Sequence, residues 1–265
     1  MIREMLAAAP LFLLLAVRAL ALIETAPLLS SEANPQVARV ALAAFAAHAA
    51  FPAAANASGL ELFSLSFVFL LIGEAIIGII MGFFVTIVFS AFSTAGQFFS
   101  LQMGFGASET FDPLSQIENP LMGQYLNLIA MLVFLALNGF TQLFLGGFWR
   151  SVQSLSVLSL VQGRETVLGM LLAGLSRLFL DAMVISLPIL GTLFLISLST
   201  GLISKAAPQI NILTEGFPLS ITVAFILIIA TMPFMVEIFG RVVDAGFSSV
   251  EDLYIRIGRM IGGGA

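Results

Sequence analysis

Residues 62–101 read LFSLSFVFLLIGEAIIGIIMGFFVTIVFSAFSTAGQFFSL, an apolar run of 40 residues whose single charge is Glu74. As one helix it is about 60 Å long at 1.5 Å per residue, against a hydrocarbon core of roughly 30 Å. It either breaks or extends beyond a membrane. Gly73, Gly78, Gly82 and Gly96 mark it, and Gly78-Ile-Ile-Met-Gly82 is the small-xxx-small spacing that lets a neighbouring backbone approach closely. The run is followed by MGFGASETFDPLSQIENP, Met103 to Pro120, the longest polar interruption in the chain, and then by a second apolar run, Leu121 to Phe148. Backbone that leaves helical geometry at such a depth is tolerated only inside protein or a water-filled cavity. In this interruption Gly104 and Gly106 bracket Phe105, Asp112-Pro113 starts a turn, and the charges Glu109, Asp112 and Glu118 are all negative.

Composition agrees with a membrane setting. Mean hydropathy is +1.10, with 60% hydrophobic and 9% charged residues, whereas a water-soluble domain carries roughly a quarter charged residues. The expected fold class is all-α, a helical membrane protein with long, kinked helices. The net charge of −5 comes from scattered carboxylates without a basic run, which excludes a nucleic-acid partner. With no cysteine and only His48, disulfides, thiolate sites and two-histidine zinc motifs are excluded. Asp112 and Asp181 lack the Gly-x-Gly-Asp context of an intramembrane aspartyl protease, and a serine nucleophile would have only His48 as base. The chain is therefore read as no enzyme, with no cofactor.

Working outward, six apolar segments are expected. Met5 to Leu29 carries Arg18 and Glu24, internal charges that fit a retained helix better than a cleavable signal. Gln36 to Phe51 reaches only about 24 Å, a half-span or a helix buried against others. Leu62 to Leu101 and Leu121 to Phe148 follow, the latter with Asn138-Gly139 where a span ends or is interrupted and Trp149-Arg150 as an interface anchor. After a connection from Ser151 to Glu165 comes Thr166 to Ile203, with a kink expected at Pro188. A second polar break spans Ser204 to Asn211 before Gly216 to Phe239. Residues 241–265 read as a separate amphipathic tail behind a single helical domain over 1–240. If every segment crosses, Arg3, Arg150, Arg164, Arg241, Arg256 and Arg259 share one side against Arg39 and Lys205, which puts the tail in the cytoplasm and the Met103 loop outside.

Ionisable residues within apolar segments are costly and draw attention to Glu74, Arg177 and Asp181 as buried charges. Arg177 and Asp181 are four apart and can neutralise each other. Glu74 has no local partner and is expected to meet a neighbouring chain or a wet cavity. His48 reads as a packed histidine with one hydrogen bond. Met103 and Phe105 are soft side chains suited to sealing a constriction.

The chain resembles the FliR family of flagellar export-gate proteins and, more distantly, its counterparts in virulence type III secretion. Gln97 to Met103 running into Gly104-Phe105-Gly106, then Phe111-Asp112-Pro113 and Leu126 to Gly139 carry the resemblance, with Gly201-Leu-Ile-Ser-Lys-Ala-Ala-Pro-Gln-Ile-Asn-Ile212 and Gly216-Phe217-Pro218-Leu219 the most specific blocks. It covers residues 10–240. It implies a subunit of a helical export cone in the bacterial inner membrane and flagellar basal body, built with FliP-like and FliQ-like subunits. FlhB-like and FlhA-like components, the basal-body ring, membrane lipid and unfolded flagellar substrates are the further partners implied. The family's pore plug falls on Met103, Gly104, Phe105, Gly106, Phe111, Asp112 and Pro113. A structural turn or subunit contact falls on Ala207, Pro208, Gln209 and Asn211, at the cytoplasmic-facing entrance or a subunit contact, which departs from the charge-based topology. Ser204-Lys205 stands where the family often has Asn-Arg, keeping the positive charge without bidentate pairing. The competing reading is a secondary transporter or channel using Glu74 and Asp181, with Pro188 between broken helices; the injectisome counterpart of the same gate is the other.

Overall fold

The computed structural model describes residues 2–31, 34–54, 64–104, 121–206 and 212–262. Every regular element among the described residues is a helix: α1 (Ile2–Thr25), α2 (Gln36–Ala54), α3 (Leu65–Met103), α4 (Leu121–Ala136), α5 (Gly139–Ser154), α6 (Val157–Gln162), α7 (Arg164–Ala206) and α8 (Ile212–Gly262). Four described helices are long and apolar enough to cross a membrane, five if α4 and α5 are one broken span. The chain is an all-α membrane protein.

Three departures from the sequence reading concern where helices stop. The 62–101 run does not break; α3 is one helix of 39 residues. The connection 151–165 is mostly helical, because Ser156 caps α6 by a reciprocal box in which Ser159 N–H donates to Ser156 Oγ at 3.2 Å and Ser156 N–H to Ser159 Oγ at 2.9 Å. The tail is no separate helix, since α8 runs unbroken through Gly240 to Gly262. Helical structure also continues through Pro188 in α7, where Thr192 Oγ1 donates to the Pro188 carbonyl at 3.0 Å. The stop at Asn138 is as expected: α4 ends at Ala136 and Asn138 takes up the left-handed conformation, φ 54°, which asparagine tolerates better than most residues.

Two compact units are distinguishable. One comprises residues 1–87, 138–175 and 244–265, the other 88–137 and 176–243. In the first, α1 and α2 form a hairpin. Arg39 donates to Glu24 and to the Ser31 carbonyl, both at 2.7 Å. The Gly78-xxx-Gly82 spacing lies against α1: a Cβ on Gly78 would press on the Arg18 carbonyl and come within 2.8 Å of Ala21 Cβ, and one on Gly82 within 2.7 Å of Thr25 Cβ. One turn further, Thr86 Oγ1 donates to the Thr25 carbonyl at 2.9 Å. Positions 78, 82 and 86 thus form one small, polar-tipped seam at which the α3 and α1 backbones meet.

The second unit closes around aromatic rings. Phe89 meets Phe134 edge-on at 5.5 Å, and Phe92 lies 4.3 Å from Phe239, with Phe92, Phe134 and Phe239 fully buried. Gly96 on α3 and Gly123 on α4 touch backbone to backbone; a Cβ on Gly96 would sit 2.6 Å from the Gly123 nitrogen.

Candidate functional site

Of the residues read as a plug, the structure describes the base. Met103 is the last residue of α3 and is completely buried. Gly104 turns the chain with φ 91°, and its N–H donates to the Leu101 carbonyl at 3.1 Å, so glycine is needed at this helix exit. On the far side of the interruption Met122, in the first turn of α4, is buried as well. Phe105, Gly106, Phe111, Asp112 and Pro113 lie outside the described residues, as do Ala207, Pro208, Gln209 and Asn211.

The charges in the apolar segments are arranged differently from the sequence reading. Glu74 is buried, and its partner is neither another chain nor a wet cavity: it accepts from Arg18 Nε, 56 positions away on α1. Arg18 is only 2% exposed and uses its other nitrogens too. Nη1 donates to Ser151 Oγ at 3.2 Å and Nη2 to the Leu155 carbonyl at 3.0 Å. Ser151 passes its own hydroxyl proton to the Phe148 carbonyl at 2.7 Å. The planar five-donor fork of arginine thus joins α1, α3 and the break between α5 and α6, where Leu155 is extended at φ −113° and ψ 119°. Lysine, a point charge with three donors, does not reproduce that fork.

Sequence reasoning missed this centre because its members are far apart in the chain. The available signal was that Arg18 and Glu74 are opposite charges in neighbouring apolar segments, each too costly to leave alone. A second missed feature adjoins it. Residues Gln142–Trp149 of α5 form a wide π-helical turn, and the buried Tyr254 Oη donates to the Gly147 carbonyl within it at 3.0 Å. This bond ties α5 to the end of α8, as does the exposed pair of Arg150 with Glu251.

Arg177 and Asp181 pair across one helical turn at 3.6 Å, as their spacing predicts. Arg177 is not buried, however: its side chain is 58% exposed, with Asp181 at 17%. His48 likewise lies on the exposed face of α2 rather than packed. No group of three or more His, Asp or Glu side chains converges as a metal site among the described residues. The arrangement holds charges in fixed, paired positions inside helical packing.

The profile of bacterial export proteins, family 1, matches residues 9–246. The chain belongs to this family. Its relatives include the flagellar biosynthetic protein FliR of Bacillus subtilis (strain 168), 30% identical with 94% of this chain and 96% of that protein covered. FliR of Escherichia coli (strain K12) is 31% identical over 89% of both chains, and FliR of Borreliella burgdorferi is 33% identical over 74% of both. The surface presentation of antigens protein SpaR of Shigella flexneri is similar at 26% identity over 61% of this chain. The match spans the helical core of both units, including Arg18, Glu74, Met103 and Gly104, and the resemblance drawn from the sequence blocks is that of the FliR family.

Proposed function

We propose that this chain is a non-enzymatic subunit of the flagellar type III protein-export gate in the bacterial inner membrane, at the flagellar basal body. It would assemble there with FliP-like and FliQ-like subunits into the channel for unfolded flagellar proteins, near FlhB-like and FlhA-like components. The observation that carries the reading is coverage: similarity to FliR runs along nearly the whole of both chains, so it extends to the helical body and not to one motif. Helix length supports it. With 39, 43 and 51 residues in α3, α7 and α8, each exceeds the roughly 20 residues a bilayer requires by about twofold. Such helices suit an assembly that rises out of the membrane plane.

In this reading Met103 and Gly104 fix the base of the plug, with Phe105, Gly106, Phe111, Asp112 and Pro113 closing the pore, while Ala207, Pro208, Gln209 and Asn211 make the turn between α7 and α8 at the gate entrance or a subunit contact. The flagellar relatives cover more of the chain at higher identity than the injectisome relative, which favours flagellar use. Deleting the gene should stop flagellar subunits from reaching the culture medium, and deleting residues 104–111 should make cells with the assembled gate leak small ions. Normal export in the first strain would overturn the reading, and a tight membrane in the second would overturn the plug.

A further inference from the structure

On α7 the positions Arg177, Asp181, Val184, Pro188, Gly191 and Leu195 alternate in steps of four and three, the spacing of a helix-packing seam. Their side of the helix is open. Val184, Leu187, Pro188, Gly191, Phe194 and Leu195, with Phe234 of α8, line a shallow groove of about 700 Å³, and Leu187 is 60% exposed. A Cβ on Gly191 would meet nothing within 4 Å, so another backbone can approach there. Arg177 heads the seam, and its ion pair with Asp181 is a long 3.6 Å, which leaves most of its donors facing outward.

Lipid does not account for this face. Large exposed apolar residues continue along α7 from Leu168 to Ile203, about 53 Å of helix at 1.5 Å per residue, whereas hydrocarbon covers roughly 30 Å. The charged pair lies inside that stretch, where exposing a charge to lipid costs about 2.5–3.5 kcal/mol at the bilayer centre. A second copy of this chain fits poorly as well. A parallel twofold pair would set Arg177 against Arg177 and Asp181 against Asp181. An antiparallel pair centred on Pro188 would set Arg177 against the uncharged stretch at Leu198 and Ser199.

We infer that this seam seats an apolar helix of a different membrane chain, one that brings small residues to the groove at Pro188 and Gly191 and a carboxylate to Arg177. The inference rests on the reading above, that the chain works inside a larger helical complex. Because the sequence contains no cysteine, Leu187→Cys and Gly191→Cys each carry a single spin label. In the complex expressed with its neighbouring genes and reconstituted in lipid, both labels should be immobile and shielded from oxygen and from a water-soluble nickel chelate. Arg177→Glu should lower recovery of the partner by at least roughly tenfold while Arg177→Lys retains it, as expected for a charge pair desolvated at an interface. Helix content by circular dichroism should be equal in both variants.

Labels open to oxygen in an intact complex would show a lipid-facing groove and overturn the inference alone, as would labels open to the chelate. Shielding in a homodimer of this chain would replace the different chain by a second copy and overturn it too. If the parent chain recovers no partner protein at all, the export-gate reading fails with it.

Discussion

Replacing Glu74 by alanine would leave the Arg18 guanidinium buried without its carboxylate, the costliest single change the structure predicts. Arg18 is 2% exposed and cannot reach water without opening the seam between α1 and α3 at Gly78 and Gly82. Removing one partner of a buried pair costs about 3–5 kcal/mol. For a chain of this size, at about 2–4 °C per kcal/mol, Tm should fall by roughly 6–20 °C. The double variant Arg18→Met, Glu74→Leu removes both charges at similar volume. It gives up the bond to the Leu155 carbonyl, a loss of about 1–3 kcal/mol, against the desolvation it no longer carries, so its Tm should lie well above that of Glu74→Ala. Trp149, the single tryptophan, is half-buried two positions from Ser151, and its fluorescence during heating of the detergent-solubilised protein reads this centre directly. Glu74→Ala melting with the parent, or the double variant melting as low as the single one, would refute the argument.

Other outcomes follow from the same geometry. Gly78→Val should destabilise by about 1–3 kcal/mol or more, the usual range for overpacking, because the added carbons meet the α1 backbone at Arg18 and Leu22; Gly169→Val, where a Cβ meets nothing within 4 Å, is the control in the same melting assay. Tyr254→Phe leaves the Gly147 carbonyl without the hydroxyl that bonds it, a loss of about 1–3 kcal/mol, and amide exchange should accelerate across 142–149 ahead of the rest of the chain. Asn138→Val should cost about 1–2 kcal/mol through its left-handed backbone and Asn138→Gly should cost little, the two being compared by Tm. Met103→Ala should cost about 2–5 kcal/mol, the range for truncating a fully buried methionine, with the loss seen as a lower Tm.

Helix class, membrane character and several stops were legible because they depend on local chemistry. Asn138-Gly139 interrupts the chain through a backbone preference visible in two residues, and Gly78-xxx-Gly82 announces close packing through the absence of side chains. What stayed hidden depends on distance in sequence. Nothing near Glu74 names Arg18 as its partner, and Ser151 and Leu155 look like ordinary loop residues until α1 is packed against them. The π turn in α5 is fixed by Tyr254, more than a hundred positions downstream. The tail read as a separate helix because its charges change the composition at Gly240, yet glycine in a helix interior costs only about 1 kcal/mol, too little to stop α8. Arg177 read as buried because its neighbours are apolar, but those neighbours are themselves exposed on α7.

The account's central claim, that this chain is one subunit of a heteromeric helical export gate, is tested most directly by native mass. The C-terminally tagged chain would be extracted gently from cells expressing it with its neighbouring genes. The predicted result is a single copy of this chain with several copies of two other helical membrane proteins. A monomer or a homodimer of this chain alone would contradict it.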